Sequence, residues 1–255
     1  MLLALDVGNT HTVIGVFDGT TLRANWRIST STQVTADELG VLLASLFAGD
    51  DVEPRDVRGI VVSSVVPHLD AVLRKLAAAR FELEPLFIGP GVRTGVPILY
   101  DNPHEVGADR IVNAVAAVAR HGAPVIVLDF GTATTFDVVS ARGEYLGGVI
   151  APGLGISADA LFDRAARLVR VDIRKPPHII GRNTMESIQS GLFHGYASLV
   201  EGIIERIRAE LGAAAPVVAT GGLAHVFKDD VRTLDAVSPD LALEGLRLIW
   251  EKNAP

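Results

Sequence analysis

The chain has 255 residues, room for one large domain or two lobes, and 49% of them are hydrophobic, mostly aliphatic. It has no cysteine, which excludes a disulfide, a thiol nucleophile and a zinc–thiolate site. Its net charge of −7, with no basic run, argues against nucleic acid or an anionic membrane as a partner.

The apolar start Met1–Leu5 is cut short by Asp6, and no basic region precedes it. No apolar stretch approaches the ~18 residues of a membrane span, so a cytoplasmic protein is expected. Leu2–Asp6, His11–Phe17 and Leu22–Ile28 are aliphatic runs separated by Gly8-Asn9-Thr10 and Asp18-Gly19, which predicts consecutive hairpins. Thr35 with Glu38 makes a capping box, and Leu39, Leu42, Leu43 and Leu46 follow at helical spacing. A buried strand is expected over Gly59–Val65, a helix over His68–Arg80 and a short strand over Leu86–Ile88. Gly89-Pro90-Gly91 opens a long irregular loop to Pro103. Asn102, Pro103 and Glu105 carry the marks of a helix start, predicting a helix over Pro103–Arg120 that Gly107 weakens in its first turns.

The second half repeats the plan, with strands over Pro124–Asp129, Phe136–Ser140 and Tyr145–Ile150. Leu3-Ala4-Leu5-Asp6-Val7-Gly8-Asn9 faces Ile126-Val127-Leu128-Asp129-Phe130-Gly131-Thr132: each is an aliphatic strand ending in Asp-x-Gly-polar, as in a duplicated unit. Helical pattern runs from Pro152 through Arg167, and Asn183, with Glu186 at N3, can cap a helix to about Leu211. On that helix Gly191, Gly195, Ser198 and Gly202 make one small-residue stripe, suited to packing inside the subunit or to a subunit interface. Pro216–Thr220 reads as a strand ending in Gly221-Gly222, and a helix near Pro239–Lys252 closes the chain. The fold expected is α/β, two similar lobes of about 1–119 and 120–255, each a mixed sheet flanked by helices.

Asp6-Val7-Gly8-Asn9-Thr10 combines an acid that can hold Mg²⁺ with a glycine that lets backbone approach a phosphate. A single copy reads more readily as an ordinary hairpin turn. The second copy, Asp129-Phe130-Gly131-Thr132-Ala133-Thr134-Thr135, makes a triphosphate site with its cation the better reading. No Walker loop is present. Thr220-Gly221-Gly222 at a strand end leaves a slot that a purine can enter, or is simply a turn. In Gly107-Ala108-Asp109-Arg110 the aspartate, with an ordinary carboxylate pKa of about 3.9, can accept a hydroxyl proton in phosphoryl transfer. Arg110 can bind an anion; the plain alternative is a surface ion pair. The seven histidines have no ligand spacing, and no nucleophile elbow occurs.

In this order, with Tyr100-Asp101-Asn102-Pro103, Gly147-Gly148, Pro152-Gly153 and Asn183-Thr184, these motifs resemble the type III pantothenate kinase family. That family belongs to the superfamily of acetate and sugar kinases and actin, so the resemblance implies a ribonuclease H-like (actin-like ATPase) fold with ATP and substrate in the cleft between lobes. It implies that Asp6, Val7, Gly8, Asn9, Thr10, His11, Thr12 and Val13 bind ATP phosphates, with Thr132 adding to the site. Asp109 would be the general base on the pantothenate hydroxyl. Tyr100, Gly107, Ala108, Asp109 and Arg110 would contact pantothenate, with Thr184 contributing from the neighbouring subunit of a homodimer. Asp129 would bind K⁺ or NH₄⁺, and Asp6 would hold Mg²⁺, directly or through water. The product, 4′-phosphopantothenate, begins coenzyme A synthesis. Two departures stand out. Val13 replaces a lysine found in some members, and Leu168-Val169 stands where many have Leu-Pro. The rival readings are a kinase for another small hydroxylated metabolite and a nucleotide-binding regulator without turnover.

Overall fold

The computed structural model describes residues 1–165 and 168–254, which form two compact units: 1–119 with 240–255, and 120–239.

In the first unit, β1 (Leu2–Val7), β2 (His11–Asp18) and β3 (Thr21–Ser29) form the expected antiparallel meander. β4 (Gly59–Ser64) pairs with β1 in parallel, and β5 (Leu86–Phe87) extends the sheet to the order β3-β2-β1-β4-β5. Strand alternation sends Leu3, Leu5 and Val7 to one face. There they pack in one core with Leu39, Leu43 and Phe47 of α1 (Ala36–Gly49) and Leu69, Leu73 and Leu76 of α2 (Pro67–Phe81). The Thr35–Glu38 capping box forms as expected.

The helix expected from Pro103 begins later. Pro103–Glu105 is a 3₁₀ turn, capped by Asn102 accepting from the His104 N–H at 3.3 Å. α3 spans Ala108–His121, and its first free carbonyl partner is Gly107, which accepts from Arg110 and Ile111. The start signals at Asn102 and Pro103 are real, but they close a single tight turn before the chain re-enters a helix.

The last helix, α7 (Leu241–Asn253), belongs with the first unit, not with residues 120–239 as the division at 120–255 assumed. Small residues on the second face of the first sheet explain why. A Cβ on Gly15 would lie 2.7 Å from Leu243, one on Gly59 2.2 Å from Trp250, and one on Gly245 2.1 Å from the Val112 carbonyl of α3. The helix therefore lies close against sheet and α3, and Leu243, Leu246 and Ile249 are fully buried. Each such side chain contributes roughly 2 kcal/mol of burial.

In the second unit, β6 (Val125–Phe130), β7 (Ala133–Val139) and β8 (Tyr145–Pro152) repeat the antiparallel meander. β9 (Val217–Thr220) pairs with β6 in parallel, and β10 (Ala236–Val237) follows. The order β8-β7-β6-β9-β10 is that of the first sheet, as duplication predicts. α4 spans Leu154–Arg164 and ends short of the expected Arg167, because Ala165 is an extended C-cap; 166 and 167 lie outside the described residues. α5 runs over Thr184–Leu211, capped by Asn183 as expected. Its Phe193, Tyr196, Val200 and Ile204 pack on Ile126, Leu128 and Phe130, with Phe227 of α6 (Ala224–Phe227) stacked on Phe130 and Phe193.

Candidate active site

The turn after β1 is held tightly. The Gly8 N–H donates to the His11 carbonyl at 3.0 Å, and the Thr30 N–H donates to the Thr10 carbonyl at 2.9 Å. A Cβ on Gly8 would itself lie 3.0 Å from the His11 oxygen, so a side chain would crowd the bend. Asn9, Thr10 and His11 are exposed at its tip. Val7 and Thr12 are buried: Val7 packs in the first core, and the Thr12 hydroxyl bonds that of Thr30 at 2.9 Å. Of the residues expected to bind phosphate, these two can offer only backbone. Val13 is half-buried on the face opposite Thr12.

Asp6 ends β1 on that same opposite face, paired laterally with Ser63 and Val13. Burial, and then the charge of Asp109, push its carboxyl up to about 7, against smaller lowering effects from Ser63 and Arg27. Asp109 and Asp6 are therefore electrostatic neighbours, though 103 residues apart in sequence. Asp109 sits in the first turn of α3, where its Oδ1 accepts from the Arg110 N–H at 2.8 Å. Gly107 makes room for it: a Cβ there would lie 2.5 Å from Asp109 Oδ1. Burial raises the Asp109 pKa above the ordinary value assumed from sequence, against lowering by its helix-terminal hydrogen bond and by Arg110. A base nearer neutral pH accepts a proton more strongly, so the shift suits the role better than an ordinary carboxylate. Arg110 is itself 92% buried beside Asp109, being 8% exposed, and is no surface pair.

Asp6 and Asp109 are two half-buried neighbouring carboxylates, one protonating near neutrality. That is the donor set a hard divalent cation takes. Among the described residues no cluster of three or more His, Asp or Glu could hold a metal alone. Mg²⁺ fits this arrangement, because it is ordinarily held by one or two carboxylates together with substrate phosphates.

The second turn has a different construction. Asp129 is half-buried at the end of β6, level with Thr135 and Thr220. Gly221, at φ +89°, lies beneath it: a Cβ would come 2.4 Å from Asp129 Oδ1 and 2.7 Å from the Phe130 backbone. Gly221 after β9 thus forms a cradle for this carboxylate. The Gly131 N–H donates to the Ala133 carbonyl at 3.1 Å, and exposed Thr132 occupies the tip. Gly153 packs under the tip, its N–H donating to the Thr132 carbonyl at 3.1 Å; a Cβ there would lie 2.2 Å from that oxygen. Tyr196 of α5 bonds Thr134 at 3.1 Å and the Pro152 carbonyl, fixing the turn from the core side.

Tyr100 lies in the irregular segment before the 3₁₀ turn, in the first unit. Thr184 begins α5 in the second, exposed on a cavity of about 610 Å³ whose lining includes Arg182, Asn183, Ser187 and Gly191. Along α5 Gly191, Gly195 and Ser198 are exposed, and a Cβ on Gly191 or Gly195 would meet nothing within 4 Å. At Gly191 and Gly195 the stripe is therefore not filled by any of the described residues, while at Gly202 the Arg206 side chain lies close. Sequence reading missed Ser63, Arg27 and the role of Gly221 beneath Asp129. Only strand register could have found the first two.

Two ribonuclease H-like sheets, each with an Asp-x-Gly bend at the end of its first strand, define an actin-like ATPase fold of the kind used by small-molecule kinases. The inorganic polyphosphate/ATP-glucomannokinase of Arthrobacter sp. strain KM shares it at TM-score 0.52 and 15% identity, covering 99% of both chains. A Campylobacter jejuni protein described as a conserved putative Baf family transcriptional activator shares it at TM-score 0.63 and 19% identity, covering 98% of both. These likenesses speak to fold alone. A family model, Type III pantothenate kinase, matches residues 2–206. A protein of that name from Myxococcus xanthus (strain DK1622) is 56% identical over 253 residues, 99% of each chain. The chain belongs to the type III pantothenate kinase family.

Proposed function

We infer that the chain carries out the reaction of its family, ATP-dependent phosphorylation of pantothenate in coenzyme A biosynthesis, giving 4′-phosphopantothenate. The observation that carries the mechanism is the half-buried neighbouring pair Asp6 and Asp109 beside a glycine bend. The bend binds phosphate through the backbone of residues 6–13 and the exposed Asn9 and Thr10 side chains, with Thr132 adding to the site. Asp109, held by the α3 N-terminus, accepts the proton of the pantothenate hydroxyl as the new O–P bond forms. Asp6, directly or through water, holds Mg²⁺, which supplies charge neutralisation on the phosphates.

Pantothenate is held by Tyr100, Gly107, Ala108 and Arg110, with Thr184 supplied by the neighbouring subunit of a homodimer. Support for the dimer is the open small-residue stripe of α5, which admits a second helix closely. Asp129, cradled on Gly221, is the site for K⁺ or NH₄⁺. The protein works in the cytoplasm, where ATP is made available to biosynthesis. No helix among the described residues is long and apolar enough to cross a membrane.

The deciding experiment is ADP release by purified protein, with and without pantothenate, in K⁺ and in Na⁺ buffer. Pantothenate-dependent release is expected, faster in K⁺. A strong preference for a sugar, acetate or glycerol would displace pantothenate. Equal rates in K⁺ and Na⁺ would remove the cation from Asp129, and a monomer by light scattering would remove the dimer.

A further inference from the structure

Four strands of the first sheet place Ser63, Asp6, Val13 and Arg27 in one lateral row, β4 to β1 to β2 to β3. Residues paired in register project to the same face. That face is the one covered by α7. Two residues back along β3, Asn25 donates to Asp240 at 3.0 Å, and Gly15, opposite Asn25, lies against Leu243. Arg27 thus stands two strands from Asp6, about 10 Å between Cα atoms. Only the short apolar Val13 lies between them, and the positive charge of Arg27 reaches Asp6. Arg27 is exposed, and it forms no ion pair of its own among the described residues. Some other arginines are engaged, Arg142 with Glu144, Arg208 with Asp235, Arg232 with Glu201 and Arg247 with Glu251, and what sets Arg27 apart is its place in the row with Asp6.

We propose that Arg27 is a nucleotide-phosphate ligand, its guanidinium reaching across Val13 to the phosphate chain held at the Gly8 bend. The inference rests on the kinase reading and deepens it by naming a side-chain cation for a phosphate site otherwise made in this unit of backbone N–H groups and short polar side chains. A guanidinium presents a planar fork of N–H donors that matches phosphate oxygens two at a time. Phosphoryl transfer spreads negative charge over the transferring group, and a fixed cation beside it stabilises that charge. A strand anchors Arg27 at both ends, between β2 pairing and the Thr30–Thr10 hydrogen bond, so its root position is rigid.

The test compares wild type with Arg27→Gln and Arg27→Lys. In the Gln variant kcat/KM for ATP falls by about 10- to 100-fold, as for loss of a charged phosphate contact, while KM for pantothenate stays within about twofold. The Lys variant retains an intermediate rate, since it keeps charge without the fork. Thermal melts of both match wild type, because the side chain is exposed. Calorimetric titration with Mg²⁺ present shows ATP binding weakened at least about tenfold in the Gln variant and AMP binding unchanged. Wild-type kinetics and ATP affinity in that variant would overturn the proposal. So would equal weakening of ATP and AMP, which marks a distorted sheet. If wild type binds ATP without phosphorylating pantothenate, the kinase reading fails alone and the calorimetric comparison still decides Arg27. Absence of ATP binding by wild type would overturn both.

Discussion

The turn after β1 and the turn after β6 occupy equivalent positions in two sheets of the same strand order. In each an aspartate ends a buried strand, a glycine bends the chain, and polar residues form an exposed tip. Their surroundings differ. The first connection takes residues 8–11 and the second 131–133, so the first tip has room for both Asn9 and Thr10. Asp6 is pushed up to about 7 by burial and then by the charge of a neighbouring carboxylate, Asp109. Asp129 lies over the backbone of Gly221, with Thr135 and Thr220 on the flanking strands. Duplication supplied one scaffold, and what each sheet packs beside its aspartate set the chemistry. Paired acids fit the divalent cation and base proposed for the first turn, and the single acid over Gly221 fits the monovalent cation proposed for the second.

The comparison breaks most visibly at Asp109. Asp109→Asn removes the second acid and with it the base, and kcat in the ADP-release assay should fall by about 10³-fold with the fold retained by circular dichroism. Turnover near wild type would mean that the proton goes elsewhere. The same variant lowers the Asp6 pKa, since the Asp109 charge is one cause of its rise.

Asp6→Asn tests the strain in the first turn. A carboxyl raised from 3.8 to about 7 adds stability below its unfolded pKa, and that stability is lost as pH rises through about 7. Without Mg²⁺ the wild type therefore weakens between about pH 4 and pH 8 at this site. The Asn variant should be the more stable of the two at pH 8, by at most about 4 kcal/mol, with the gap closing towards pH 4. Urea unfolding in chelator at the two pH values measures it. Equal stability at pH 8 would show that Asp6 is not strained.

Gly221→Ala probes the second turn, where the added methyl meets Asp129 and the Phe130 backbone and the residue keeps φ +89°. A cost of about 2 kcal/mol is expected in urea unfolding, together with loss of the K⁺ over Na⁺ preference. A variant with unchanged stability and cation response would separate Gly221 from the Asp129 site.

Local signals determined much of this protein. The Thr35–Glu38 and Asn183–Glu186 caps, the two hairpin meanders and the duplicated Asp-x-Gly bends were legible because each depends on residues within a few positions of one another. The same locality misled at Asn102-Pro103, whose cap closed a 3₁₀ turn while α3 waited for Gly107. Tertiary structure alone decided the rest. α7 joined the first unit because Gly15, Gly59 and Gly245 allow it to lie close, and spacing along the chain does not reveal which surface a helix will find. Val7 and Thr12 turned into the core and Asp109 came beside Asp6. Arg27 came level with Asp6 through strand register, which hydrogen bonding between distant segments sets.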